Sequence, residues 1–178
     1  MSVHQVLRMG DSLLKLVAKP IDNFTDPGLA TLINDMWETM EVSQGVGLAA
    51  PQIGFSVRLI VLGFEENERY PDESVVPKQV LINPVIQPLS DEMEDGWEGC
   101  LSVPGMRGLV SRYTRIEYQA KNEFGEEIKG NAEGFHARVI QHELDHLDGI
   151  LYPQRMKNLD YFGFDEELAR SGLFSKQK

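Results

Sequence analysis

GFHARVIQHELDHL, residues 134–147, is the stretch on which the reading of this chain turns. Phe135, Val139, Ile140, Leu144 and Leu147 recur at helical spacing, and Gly149 stands where a helix would stop. The expectation is a helix over Gly134 to Leu147. Within it lies His142-Glu143-Leu144-Asp145-His146, an HExxH pattern. Residues four apart on a helix project from one face, so the two imidazoles can close on one metal ion. Glu143, beside the first of them, can reach a water at that ion. Two histidines four apart also occur by chance. Here they fall on a helix that the apolar periodicity marks independently.

Two ligands do not complete a hydrolytic site, which ordinarily takes three protein ligands and leaves one position open. Asp160, Glu166 and Glu167 are downstream candidates for the third, and Cys100 is the upstream one. A thiolate suits a divalent transition metal, but a lone cysteine is more often a small buried apolar residue. The segment Trp97-Glu98-Gly99-Cys100-Leu101-Ser102, followed by Val103-Pro104-Gly105, reads as rich in turns. Further upstream, Gly45-Val46-Gly47-Leu48-Ala49-Ala50-Pro51-Gln52 has small residues that let a backbone approach something closely. It lacks the spacing of a dinucleotide fingerprint and the Gly-Lys-Ser/Thr ending of a P-loop. Gln52 could offer its amide to an oxyanion.

The bulk properties bound the function. The 178 residues suit one domain, expected over 1–178 with a tail from about Leu159. A formal charge of -11 argues against broad binding to nucleic acid or anionic membrane. No apolar run reaches the ~20 residues of a membrane span, and Met1 to Gly10 does not read as a signal peptide. One cysteine excludes an internal disulfide and fits a cytoplasmic location.

Other elements are expected as follows. Leu29 to Met40 is an amphipathic helix with Asp26 as N-cap and Pro27 at its first position. Val57 to Gly63 is a buried strand, Glu65 to Lys78 a surface loop, and Val80 to Ile82 and Val85 to Leu89 strand pieces around Asn83-Pro84. Asp91 to Asp95 is a solvated acidic run. Leu109 to Tyr118 and Glu127 to Ala132 are strands, with a turn at Asn122-Glu123-Phe124-Gly125 between them. Asp165 to Arg170 is a short helix. Helices among strands outside βαβ order give an α+β class.

Taken together, three segments resemble the peptide deformylase family. Its GxGxAAxQ, EGCLS and QHExDHLxG stretches match Gly45 to Gln52, Glu98 to Ser102 and Gln141 to Gly149 at every fixed position and in order. Met9-Gly10-Asp11 also looks like the family. The resemblance implies an α+β fold in which mixed or antiparallel sheets pack around a central helix carrying the HExxH. It implies Cys100, His142 and His146 as metal ligands, Glu143 as general acid and base, and Gln52 with the Leu101 N–H as oxyanion donors. It implies removal of the formyl group from the formyl-methionine of new polypeptides, with release of formate. Ferrous iron is the implied native metal, and zinc, nickel or cobalt can take its place. The peptide is expected to pair with backbone near Val46, Gly47 and Gly99. Phe135, Arg138 and Val139 are expected to line the methionine pocket, with the stem of Arg138 packed there and its head in water. Arg107 is expected at the pocket rim, and Asp145 is expected to pair with Arg112.

Two other readings stay open on the residues alone: an HExxH endopeptidase with a downstream ligand, and a non-catalytic metal or peptide-binding module. The resemblance also implies a transient contact with the ribosome. The tail from Leu159 mixes charges, with only Lys176 and Lys178 basic at its end, so docking through a basic C-terminal helix is not expected.

Overall fold

The computed structural model describes residues 2–64 and 75–174. Helix α1 runs Pro27–Val42. The side chain of Asp26 accepts from the Gly28 N–H at 2.8 Å, and Pro27 sits in the first turn. Strand β1 is Gly47–Ala49, β2 Leu59–Phe64, β3 Val76–Pro88, β4 Met93–Cys100, β5 Val103–Tyr113, β6 Arg115–Lys121 and β7 Glu127–Glu133. Helix α2 spans Gly134–Leu147, the stretch expected from its periodicity. Strand β8, Phe162–Phe164, and helix α3, Asp165–Arg170, close the described chain.

The strands form two sheets of antiparallel pairs, one ordered β1-β2-β3-β6-β7 and the other β4-β5-β8. Outside these strands, an isolated bridge from Lys19 to Val57 is parallel. Helix α2 packs against β1, β2, β3 and β7 of the larger sheet and against β5 of the smaller one. The fold is therefore α+β, with the HExxH helix between two sheets.

Strand β2 explains the uninterrupted apolar run Leu59-Ile60-Val61-Leu62. Ile60 and Leu62 join Val139, Ile140 and Leu147 of α2 in one core, while Leu59 and Val61 join Ile33, Met36 and Met40 of α1 in another. A strand buried on both faces shows no polar alternation. Each such side chain contributes about 1.5 to 3 kcal/mol of burial, an upper range. A third, smaller core of Val103, Val110, Leu151 and Tyr152 lies against Cys100 on the second sheet.

Three expectations change. The proposed loop Glu65 to Lys78 is shorter at its end, because Val76, Pro77 and Lys78 belong to β3; residues 65–74 lie outside the described residues. Pro77 is accommodated because the β2–β3 register shifts between Leu62 and Phe64. The two pieces around Asn83-Pro84 are one strand with an irregularity between Ile82 and Val85. Asn83 has φ 52, and its side chain both accepts from the Ile21 N–H at 2.9 Å and donates to the Ile21 carbonyl at 2.8 Å. Finally, Leu109 to Tyr118 is not one strand. It changes sheets at Thr114, whose N–H bonds the Glu92 carbonyl and whose carbonyl accepts from Gly134. Val110, Arg112, Ile116 and Tyr118 are all buried, so the alternation runs unbroken through the change of partner.

The turn at Asn122 to Gly125 is as expected, with Gly125 at φ 81 and its N–H on the Asn122 carbonyl. Asp91 to Asp95 is exposed although β4 begins within it. The short helix α3 has the expected bounds.

Gly63 is the tightest backbone approach in the larger sheet. Its φ is +132, and a Cβ there would meet the Lys78 Cα at 2.5 Å. Gly63→Ala is expected to cost about 2 to 4 kcal/mol, combining backbone strain with overpacking. Urea denaturation of the folded protein measures this; an unchanged midpoint would contradict the close approach.

Candidate metal centre

Helix α2 presents His142 and His146 on one face, with ring centroids 5.1 Å apart. Strand β4 delivers Cys100 to them. The β4–β5 register shifts between Gly99 and Cys100, so the strand ends in a tight turn through Leu101 and Ser102. One ligand atom from each of Cys100, His142 and His146 lies within 4.8 Å of the others. The Cys100 Sγ is 3.2 Å from His146 Nε2. All three residues are buried. Burial alone would raise the Cys100 thiol pKa, but the imidazoles of His146 and His142 hold it well below its ordinary value. A thiolate and two imidazoles, converging with a pocket on one side, suit a divalent transition ion with an open position. Asp160, Glu166 and Glu167 are exposed and are not among the three converging groups.

His142 is held from behind. Its Nδ1 is 2.8 Å from Glu98 Oε2, which leaves Nε2 to face the site. The Tyr152 ring stacks on it at 6.1 Å. Glu98 in turn receives Arg112 Nε and Nη2 at 2.9 and 3.0 Å and Arg138 Nη1 at 3.0 Å. Burial alone would raise the Glu98 pKa, yet the contacts from Arg112 and His142 hold it well below the usual carboxylate range. Arg112 also reaches Asp145 Oδ2 at 2.6 Å, as the sequence suggested, and Arg155 meets Asp145 Oδ1 at 2.6 Å. The charged side chains beneath the metal ligands are thus paired and hydrogen-bonded, the condition under which buried ions are tolerable.

Glu143 points into the pocket from the same helix. Burial pushes its carboxyl up to about 6, despite the opposing effect of the two imidazoles. Its Oε2 is buried without a hydrogen-bond partner among the described residues. Gly47 makes room for it: a Cβ there would meet Glu143 Oε1 at 2.5 Å. The close approach suggested by the glycine-rich segment is therefore made by a carboxylate. In the same segment Gln52 is buried, and its Oε1 accepts from the Ala49 N–H at 2.8 Å. This orients Nε2 toward Ser102 Oγ at 3.2 Å and Cys100 Sγ at 3.6 Å.

The pocket beside this centre is lined by Val46, Gly47, Gly99, Leu101, Phe135, Arg138 and Val139, together with Trp97. Phe135 is braced edge-on by Phe64 at 5.9 Å. Two sequence expectations are corrected. The head of Arg138 does not go to water. It donates to the Val110 and Glu94 carbonyls, both at 2.8 Å, and to Glu98. It fits because Gly96 has no side chain: a Cβ there would lie 2.6 Å from the Arg138 Cζ. Arg107 does not line the pocket. It is buried, within 3.2 Å of Asp165, with its guanidinium 4.9 Å from the Phe174 ring centroid.

Sequence reasoning assigned no role to Glu98, Ser102, Trp97, Tyr152 or Arg155. Glu98 was within reach, since period-two alternation puts it on the same face as Cys100. The others depend on long-range packing with no local signal.

The fold and site define a metal-dependent hydrolase built on an HExxH helix. Comparison with known proteins narrows that class. The polypeptide deformylase family matches residues 3–161. A peptide deformylase 2 from Ralstonia nicotianae is 58% identical over 93% of this chain and 94% of its own length. A peptide deformylase 1 from Bordetella pertussis has the same identity and coverage. A class I type b peptide deformylase from Acinetobacter baumannii, solved with Met-Ala-Ser bound, superposes with TM-score 0.83 at 40% identity, covering 87% of this chain and 99% of that one. This chain belongs to the polypeptide deformylase family, metal-dependent hydrolases that remove N-formyl groups from nascent polypeptides.

Arg112→Met leaves Glu98 and Asp145 each short of a buried cation. It is expected to cost about 3 to 5 kcal/mol in urea unfolding. Arg155→Met, at a side chain 45% exposed, is expected to cost roughly 1 kcal/mol or less. Equal costs would refute the assignment of Arg112 as the central cation.

Proposed function

We propose that the whole chain acts as one catalytic domain and that Cys100, His142 and His146 hold a single divalent ion. Ferrous iron is the native choice on this reading, with zinc, nickel or cobalt as substitutes. The observation that carries the proposal is the meeting of Cys100 with the HExxH pair, with the amide of Gln52 3.6 Å from the cysteine sulfur. When bound, such an ion acidifies a water and polarises the formyl oxygen.

The chain's own residues do the rest. Val46, Gly47 and Gly99 pair with an extended peptide by strand addition, and Phe135, Val139 and the stem of Arg138 surround the methionine side chain. Gln52 Nε2 and the Leu101 N–H donate to the oxygen as negative charge develops on it. Glu143 takes the proton of the attacking water and delivers it to the leaving amine nitrogen, so formate and a free N-terminus result. Its partnerless Oε2 suits that traffic, since no fixed hydrogen bond must break first.

The substrate is the formyl-methionine end of a new chain, in the cytoplasm. No helix among the described residues is long and apolar enough to cross a membrane. The C-terminal elements start with Asp165, Glu166 and Glu167, which do not favour docking on ribosomal RNA by charge.

The test is formate release from formyl-Met-Ala-Ser by anaerobically iron-loaded protein, with metal content measured in the same preparation. Cys100→Ala is expected to lose both metal and activity; retention of both would overturn the ligand set. Glu143→Gln is expected to keep its metal while kcat falls about 10²- to 10⁴-fold. Gln52→Leu is expected to lower kcat about 10²- to 10³-fold with KM little changed. A change in KM alone would show that Gln52 binds the ground state only.

A further inference from the structure

The family match ends at Tyr161, yet the chain after it packs onto the pocket. Strand β8 extends the smaller sheet by pairing Phe162, Gly163 and Phe164 with Gly108, Arg107 and Met106. Helix α3 follows and buries Leu168, and the Phe174 N–H then bonds the Leu168 carbonyl at 3.1 Å. That bond brings the Phe174 ring to 5.5 Å from Trp97, while Tyr161 meets the same indole at 6.5 Å. Both contacts are edge-on, at 62° and 70°, a favoured aromatic geometry. Arg107 reinforces the arrangement by stacking on Phe174 while it pairs with Asp165 of α3.

Trp97 is itself part of the pocket lining, so these residues fix one wall of the pocket. Strand β4 is an edge of its sheet, bonded to β5 on one side only. Along it, Glu98 faces α2, so Trp97 and Gly99 face the opposite way. An extended peptide laid along that edge alternates too. With the methionine side chain directed toward α2, the side chain of the next residue points to the Trp97 face.

We propose that Trp97, held by Tyr161 and Phe174, is a specificity determinant that favours an aromatic or large apolar second residue in the substrate. Phe174 is a positioning residue: it acts on the peptide only through the indole. The inference rests on the deformylase reading and deepens it.

The experiment compares formyl-Met-Phe-Ser with formyl-Met-Ala-Ser in iron-loaded wild type, Trp97→Ala, Phe174→Ala and Phe174→Tyr. Wild type is expected to prefer the phenylalanine peptide by about 3- to 10-fold in kcat/KM, through KM. Phe174→Ala and Trp97→Ala are each expected to bring that ratio to within about twofold, whereas Phe174→Tyr keeps it. In Phe174→Ala the KM of the phenylalanine peptide rises while kcat for both peptides holds. A purely structural role for Phe174 would instead move both peptides together. That outcome overturns the proposal, as does an indifferent wild type or a ratio that survives Trp97→Ala. Absence of formate from either peptide with wild type strikes the deformylase reading itself, and the inference falls with it.

Discussion

The carboxylate of Glu98 is the interaction on which the rest of the site depends. It lies on the strand that carries Cys100 and bonds the ring of His142 on the helix that carries the other two ligands. One group thus ties the two sources of ligands together. It is tolerable as a buried anion because Arg112 grips it through two nitrogens and Arg138 through a third. Arg112 passes the constraint to Asp145, one residue before His146, so both metal-binding turns of α2 are anchored to the smaller sheet by the same cation.

This arrangement explains why a helix core and a polar site coexist on fourteen residues. Ala137, Val139, Ile140 and Leu147 face the larger sheet and supply burial. His142, Asp145 and His146 face the smaller one, where every charge meets a countercharge. Glu143 belongs to neither set. Burial raises its carboxyl pKa, its Oε2 has no hydrogen-bond partner among the described residues, and the absence of a side chain at Gly47 leaves it room.

Much of this was legible in the sequence, and the reasons are local. The periodicity of residues 134–147 located α2, and Asp26 with Pro27 located the start of α1, because caps and amphipathic spacing are encoded within a few residues. The meeting of Cys100 with His142 and His146 was legible through three short segments whose order and identity are specific. What stayed hidden was non-local. The change of sheet at Thr114 leaves no trace, because buried residues keep even parity across it. The head of Arg138 turns away from water only because Gly96, 42 positions earlier, leaves it a berth. Arg107 is drawn off the pocket by Asp165 and Phe174, far along the chain.

The berth of Arg138 has a consequence for how such a pocket can change over evolution. Its stem is pocket wall, but its head is one of the counterions of Glu98. A substitution that enlarges or shrinks the pocket at this position also removes a charge from beneath the metal ligands. The shape of the pocket and the charge balance at Glu98 are therefore coupled through one side chain. Change at the apolar lining residues, Phe135 and Val139 among them, leaves the counterions of Glu98 in place, whereas loss of Arg138 leaves Glu98 to Arg112 and His142.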